Sequence, residues 1–526
     1  MTQVVRRSSH VMVFLMSAAL IACARPVSGR YYEETVGAPT VPVATPGGPT
    51  VSAIQQTPVT TEAPPTTPSP AYPGAYQGEP TPNPTPIGYS TRSSSATYVV
   101  NRGETLLYIA GLFGCTVDEL VSANDLASPD ALQAGQTLLI PVSVTHTSPD
   151  LKLVPDSEVV YGPAYIHFDL AAFVAGQGGY LDSYSEQVEG RLLTGSEILH
   201  LISQRFSVGP RVLLTILEMR SGWVSEANPS QESLYTPIGN VGYGQSLYYQ
   251  LSWAAGQLNQ GYYGWKLGVD DAFRLQDGTR VGVAPTLNPG TASVQTCLAG
   301  LSADWDQFER QVGADGFLLT YQRLFGSPFA YAVEPLFPEG LQQPELLLPW
   351  EKGYTWYYTG GPHGGWGDDP ANAAVDFVPS EQMLGCTPSS EWVTAAASGV
   401  VVRSEDGQVV LDLDGDGFEQ SGWVLFYLHI YENGRVKEGT YLEQGDRIGR
   451  PSCEGGYSEA THVHFARRYN GEWVPAGAGS LPMVLSGWTV ENGDRPYDGT
   501  MVKAGQVRTA CECWEDGING LLSDNG

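Results

Sequence analysis

The stretch ATHVHFARRY, Ala460 to Tyr469, puts two of the chain's eight histidines one residue apart. The flanking Val and Phe suggest a strand, whose side-chain period of two turns His462 and His464 to the same face. Two imidazoles on one half-buried face repel when both are charged. They suit a site where a metal holds one and the other exchanges protons near neutral pH. They also suit an exposed polar pair on an edge strand, and the pair alone does not choose. Residues of the same chemistry recur close by. His363 stands in GGPHGGWGDDPANAAVDF with Asp376 thirteen residues on, and His429 stands in FYLHI. A separate acidic run, DLDGDGFEQSGW, alternates Asp412, Asp414 and Asp416 as a Ca2+ loop does. Its twelfth position is Trp423, where such a loop needs Glu, and its flanks read as strands. An acidic hairpin turn is therefore preferred to Ca2+ binding.

The elements that must carry these residues lie in the segment 349–506. SGVVVRSEDGQVVLDL, GWVLFYLHIY and THVHFARRY are short β-patterned runs separated by Gly and Asp-Gly turns, which predicts an antiparallel β fold. A His…Asp pair, then YLH, then HVH, in that order, resembles the lysostaphin-like (LytM-type) zinc metallopeptidases. The gap from His363 to Asp376 is longer than the family's common version and looks like the branch typified by staphylolytic LasA-type proteases. The resemblance implies one catalytic Zn2+ held by His363, Asp376 and His464. Three ligands leave the open tetrahedral position that a catalytic zinc needs for water, whose pKa zinc lowers toward 7. It also implies that His462 acts as general base and then acid without binding the metal. His429, on a neighbouring strand, would stabilise the oxyanion. A structural zinc would usually be closed by cysteines.

Toward the N-terminus the composition changes three times. Arg6 and Arg7 precede the apolar run VMVFLMSAALIA, too short to span a bilayer comfortably and shaped like a signal peptide. LIAC, ending at Cys23, resembles the lipobox of bacterial lipoproteins, which implies cleavage before Cys23 and lipidation of its thiol. Residues 1–22 are thus read as signal and 23–96 as a Pro/Thr-rich tether, including TTEAPPTTPSPAYP. Flexible chain of that length spans on the order of 45 Å.

Residues 97–142 read as strand, helix from about Thr105, helix over Val117 to Asn124 and strand at Thr137 to Pro141. GETLLYIA, TVDELVSAN and AGQTLLIP resemble the LysM module, which implies a βααβ fold that binds N-acetylglucosamine polymers near Gly103 and Thr105. After a linker, 143–155, the segment 156–345 is helical in pattern. SEILHLISQRF and PRVLLTILEMRSGW space apolar residues at helical intervals, with Ser196 a candidate N-cap and Pro210 a helix start. The second helix weakly resembles that of lysozyme-like transglycosylases. Arg220 stands where that family has its acid and cannot donate a proton at ordinary pH. A degenerate lysozyme-like domain is the expectation. Residues 507–526 are expected to form a C-terminal tail.

The fold class expected is therefore multidomain α+β: a small βααβ module, a mostly helical middle and an antiparallel β-rich zinc peptidase domain. Formal net charge is −29 over 526 residues, which argues against nucleic acid as a partner. Of seven cysteines, lipidation of Cys23 leaves six. Cys386 and Cys453 could pair, Cys511 and Cys513 are awkwardly close for bonding each other, and Cys115 and Cys297 read as core thiols. The function these features point to is an extracytoplasmic, lipid-anchored peptidoglycan hydrolase on the cell membrane or outer membrane. The alternatives are a non-enzymatic regulator of other hydrolases and a scaffold that only recognises peptide stems. The intact ligand set favours the enzyme.

Overall fold

The computed structural model describes residues 96–524, apart from 114, 142, 143, 145, 242–244, 382–384, 478 and 480. The expected signal segment, Cys23 and nearly all of the tether lie outside the described residues. Among the described residues, no helix is long and apolar enough to cross a membrane.

The first module follows its apolar spacing. Strand β1 (Ala96–Val99) pairs antiparallel with β2 (Thr137–Ile140), and helices α1 (Leu106–Phe113) and α2 (Val117–Ala123) lie between them in sequence. A capping box starts α2: the Thr116 hydroxyl accepts from the Glu119 amide, and the Glu119 carboxylate accepts from the Thr116 amide. Leu106, Ile109, Leu120, Leu138 and Ile140 close a small core. This is the βααβ order expected.

The middle segment is built on α3 (Gly195–Phe206), α4 (Pro210–Ser221), α5 (Leu247–Lys266) and α6 (Pro289–Gly300). Pro210 opens α4 as expected. The N-cap of α3 is Thr194, not Ser196, which already lies inside the helix. Glu197, three residues beyond Thr194, decides this by closing a second capping box.

The C-terminal segment folds around one large sheet. Its strands are β3 (Thr355–His363), β4 (Ala374–Val378), β5 (Gly399–Glu405), β6 (Gln408–Asp412), β7 (Trp423–Leu428), β8 (Tyr441–Leu442), β9 (Val463–Tyr469) and β10 (Glu472–Trp473). A smaller sheet follows in sequence, β11 (Val484–Leu485), β12 (Trp488–Asn492), β13 (Gly499–Lys503) and β14 (Gln506–Thr509). The last strand, β15 (Gly520–Leu522), returns to the large sheet. The order is β8-β5-β6-β7-β9-β4-β3-β15, with β10 paired to β9 and all neighbours antiparallel. Residues 507–524 are thus not a trailing tail. β14 completes the small sheet, and β15 pairs with Thr355 to Tyr357. A strand as short as GLL shows no alternation from which to read it.

Both faces of the large sheet are covered, and the period of two divides them. Val424, Phe426 and Leu428 of β7 share one core with the helices of the middle segment. Leu425 and Tyr427 belong to a second core, with Val490 and Met501 of the small sheet. Side chains of this size contribute about 1.5–3 kcal/mol each when fully buried. A core that runs unbroken from α3 to Trp473 therefore joins helices and sheet into one packed body.

Cys386 and Cys453 are disulfide-bonded. Cys511 and Cys513 also bond each other, against expectation. The Cys513 amide donates to the Cys511 carbonyl at 2.7 Å, a γ-turn-like bond that brings the Cα atoms within 5.2 Å. Cys115 and Cys297 are buried free thiols.

Candidate active site

Strand register assembles the site. β4 and β9 pair so that Asp376 stands opposite His464. β3 flanks β4 on its other side and ends at His363. β7 flanks β9 with Leu428 opposite His464, so His429 follows immediately beyond the strand. His363 Nε2 and His464 Nδ1 each lie 3.3 Å from Asp376 Oδ1 and 3.0 Å from one another. His462 Nε2 lies 3.7 Å from the same oxygen, and the His429 and His462 ring centroids are 4.4 Å apart. His363, Asp376 and His464 are only 3%, 8% and 7% exposed.

Hydrogen bonds decide which nitrogen of each ring faces the centre. Backbone carbonyls of Gly361, Gly365, Glu454 and Ala460 lie 2.8, 3.0, 2.9 and 2.8 Å from His363 Nδ1, His464 Nε2, His429 Nδ1 and His462 Nδ1. A carbonyl only accepts, so each of these nitrogens carries the proton. In the neutral rings, Nε2 of His363, His429 and His462 and Nδ1 of His464 are then bare. Asp376 Oδ1 is likewise buried and accepts no hydrogen bond of good geometry. Two such nitrogens and a carboxylate oxygen so close together, away from water, form a set that could hold a metal ion. Zinc at about 2.0–2.1 Å from tetrahedral ligands separates the ligand atoms by roughly 3.3 Å. The observed edges of 3.0 and 3.3 Å fit that ion.

Local backbone supports the arrangement. A Cβ on Gly360 would lie 2.5 Å from Asp376 Oδ2, so glycine makes room for the carboxylate. His429 has φ +67°, a left-handed conformation that non-glycine residues seldom adopt outside constrained sites. Electrostatics separates the rings. Burial works to lower the His363 pKa, but the Asp376 charge outweighs it and holds it above the usual value. Burial works to raise Asp376, but the charges of His363 and His462 keep it well below the carboxylate range. Burial, then the neighbouring His462 and His464, hold His429 well below the usual value.

Several participants leave no mark in a motif. The four carbonyl acceptors belong to backbone. Tyr497, from the turn between β12 and β13, stacks on His363 at 4.1 Å between centroids. Asp369 is buried in the loop after His363 and accepts from the Gly365, Trp366 and Ala371 amides. Burial pushes its carboxyl up to about 7 against the pull of those amides.

The remaining sequence candidates lie elsewhere. Gly103 and Thr105 sit on the turn before α1, where Thr105 Oγ1 accepts from the Tyr108 amide at 3.1 Å. Asp412, at the end of β6, clusters with Asp414 and Asp416 of the turn that leads to β7. On α4, Arg220 Nε donates to the Ile238 carbonyl at 2.8 Å. Glu218 is buried and accepts from Arg323, the Val224 and Ser225 amides and the Ser225 hydroxyl. It serves to tie the end of α4 to its neighbours.

A β-rich domain with a buried His–Asp–His triangle and two further imidazoles defines a metallopeptidase class, and comparison with known proteins agrees. Residues 384–475 match the model for peptidase family M23, residues 98–141 that for the LysM domain and residues 152–337 that for the LasA N-terminal domain. The M23 match includes His429, His462 and His464 and begins after His363 and Asp376. The chain thus joins a LysM domain and a LasA-type N-terminal domain to an M23-like metallopeptidase domain. It is 29% identical over 339 residues to protease LasA of Pseudomonas aeruginosa (strain UCBPP-PA14), covering 61% of this chain and 74% of that protein. Over 62 residues it is 39% identical to the N-acetylmuramoyl-L-alanine amidase XlyA of Bacillus subtilis (strain 168), covering 12% and 21%. Among solved structures it is similar to the M23 metalloprotease pseudoalterin, from the deep sea, at 26% identity and TM-score 0.28, covering 35% of this chain and 99% of that one.

Proposed function

We propose that the chain is a zinc-dependent endopeptidase that cuts peptide crosslinks of peptidoglycan. In this reading the LysM domain holds it to the glycan near Gly103 and Thr105, and lipid on Cys23 holds it to the outer face of a membrane. The observation that carries the proposal is the triangle of bare donors, His363 Nε2, Asp376 Oδ1 and His464 Nδ1. Support for the substrate comes from the LysM match and from the likeness to a protein named as a muramoyl-alanine amidase.

Zinc held by the triangle would supply Lewis-acid activation of water and of the scissile carbonyl. The chain's own groups move the protons. His462 turns Nε2 toward Asp376, and the His429 ring lies against it; carbonyls hold the Nδ1 atom of both. A neutral ring offers an acceptor at Nε2 and a protonated ring a donor. The sequence-based division made His462 the acid–base group and His429 the oxyanion donor. With Nδ1 engaged, His429 can donate from Nε2 only while protonated. We therefore read the two rings as a pair. One takes the proton of the attacking water and returns it to the leaving amine. The other, when it carries a proton, stabilises the oxyanion of the tetrahedral intermediate.

The experiment is digestion of defined murein by the full-length protein, with products identified by mass spectrometry. Cleaved stem peptides that disappear on chelation and return with Zn2+ are expected. Products indifferent to chelation would overturn the metal dependence. A protein that binds zinc and murein but releases no product would be a wall-binding protein without turnover.

A further inference from the structure

Between His363 and Asp376 the chain leaves the sheet in a loop, residues 364–373. This loop supplies the Gly365 carbonyl, which accepts from His464 Nε2 at 3.0 Å. Three contacts hold that carbonyl in place. Asp369, 5% exposed, turns its carboxylate back into its own loop. Its Oδ2 accepts from the Gly365 and Trp366 amides at 3.1 and 3.5 Å, and its Oδ1 from the Ala371 amide at 2.9 Å. Gly365 lies against the Trp473 indole so closely that a Cβ there would sit 2.6 Å from the ring. Trp366 reaches the middle segment, where the Arg205 guanidinium lies 5.1 Å from its ring centroid and Phe206 meets it edge-on at 6.5 Å. Those two residues are themselves fixed. Arg205 donates to Glu189 and Tyr248 at 2.7 Å, and the Phe206 carbonyl accepts from Asn259 at 2.9 Å and Trp473 at 3.3 Å.

We propose that this loop positions the metal centre: Asp369 shapes it, the end of α3 anchors it through Trp366, and its Gly365 carbonyl locks His464 with Nδ1 turned to the metal. The inference rests on the metal-dependent reading above. An imidazole can ligate through either nitrogen, and the partner of the other nitrogen decides which. A carbonyl on a slack loop would compete poorly with water and leave the ring free to turn. A carbonyl pinned by a buried carboxylate and a docked tryptophan gives the ring one orientation before the metal arrives, which lowers the ordering cost of binding. Asp369 is then a positioning residue that acts through Gly365 and His464. The middle segment gains a direct mechanical link to the metal, from α3 through Trp366 to Gly365.

The test is metal affinity, measured on the full-length protein by Zn2+ competition with a chromophoric chelator, together with the visible spectrum of the Co2+-substituted form. Asp369→Asn places an NH2 group against amide protons. It should weaken Zn2+ binding about 10- to 100-fold, the scale for losing an outer partner of a ligand, and alter the Co2+ bands. Trp366→Ala keeps the Asp369 hydrogen bonds and should weaken binding toward the lower end of that range, about tenfold. Asp368→Asn, at an exposed neighbour, should change neither readout. Melting curves of the metal-free proteins check that each variant folds, and if Asp369→Asn does not, Trp366→Ala decides. Affinity within about twofold of the parent in the folded variants, with an unchanged Co2+ spectrum, overturns the inference. A parent protein that binds neither ion overturns the metal-dependent reading instead.

Discussion

Two clusters in the C-terminal domain each bring three metal-ligand side chains together: His363, Asp376 and His464, and Asp412, Asp414 and Asp416. They differ in where their hydrogen bonds go. In the first, backbone carbonyls engage the far side of each ring and leave the facing atoms bare. In the second, the carboxylates turn in on their own hairpin. Asp412 accepts from the Asp414, Gly415 and Gly417 amides at 3.1, 3.3 and 2.9 Å. Asp414 accepts from the Asp416 amide at 3.2 Å, and Asp416 from the Phe418 amide and Ser421 hydroxyl at 2.9 and 2.6 Å. Closeness of ligand atoms is common to both clusters. The first differs in its buried carboxylate oxygen without a hydrogen bond and in rings engaged from behind, the pattern that outer partners of metal ligands make.

The sharpest way to break this comparison is to remove one bare donor. His464→Ala, His363→Ala or Asp376→Ala should abolish both zinc content and murein hydrolysis, measured by atomic emission and product release, while Asp414→Asn leaves both unchanged. Zinc retained near one per chain in His464→Ala would refute the assignment. Next in size, His462→Ala and His429→Ala should keep the zinc yet lose roughly two to four orders of magnitude in rate, the usual worth of a positioned proton-transfer group. Equal zinc loss in His462→Ala would make that ring a ligand as well.

The acidic hairpin should answer to pH. Burial first, then the Asp414 and Asp416 charges, push the Asp412 carboxyl up to about 7 against the Gly417 amide. Because this folded pKa exceeds the unfolded value of about 3.9, the native chain binds the proton more tightly. The stabilisation is complete below about 3.9 and fades as pH rises through about 7. The parent's melting temperature should thus fall relative to Asp412→Asn between about pH 5 and pH 8. Parallel pH profiles for the two proteins would sink this account. The smallest effect expected is from Ca2+. Millimolar CaCl2 should leave the melting temperature of the metal-loaded protein unchanged, and a clear rise would turn the hairpin into a cation site.

Much of the site was legible because its side chains sit on regular elements. HVH on a strand commits His462 and His464 to one face whatever the fold around them. YLH and the His…Asp pair added the other donors through resemblance to a family. Other features were legible only with the right local rule. Glu197 would have selected Thr194 over Ser196 as the cap, and a γ-turn would have allowed Cys511 to reach Cys513. The glutamate on α4 shows the opposite limit. Its identity says acid, but that Arg323 and two amides bind it is shown only by the structure.

By itself the sequence determined the donor types, the strand face that carries two of them, and the division of the chain into a LysM-like, a helical and a β-rich part. Tertiary structure alone decided which nitrogen of each histidine is free, because that depends on carbonyls of Gly361, Gly365, Glu454 and Ala460. Every residue has such a carbonyl, so its position carries no signal in residue type. It also decided that Asp376 meets His464 across β4 and β9, a matter of strand register, and that the loop after His363 leans on α3. Those partners are far apart in sequence. Only the packed core shared by the sheet and the helices brings them within contact.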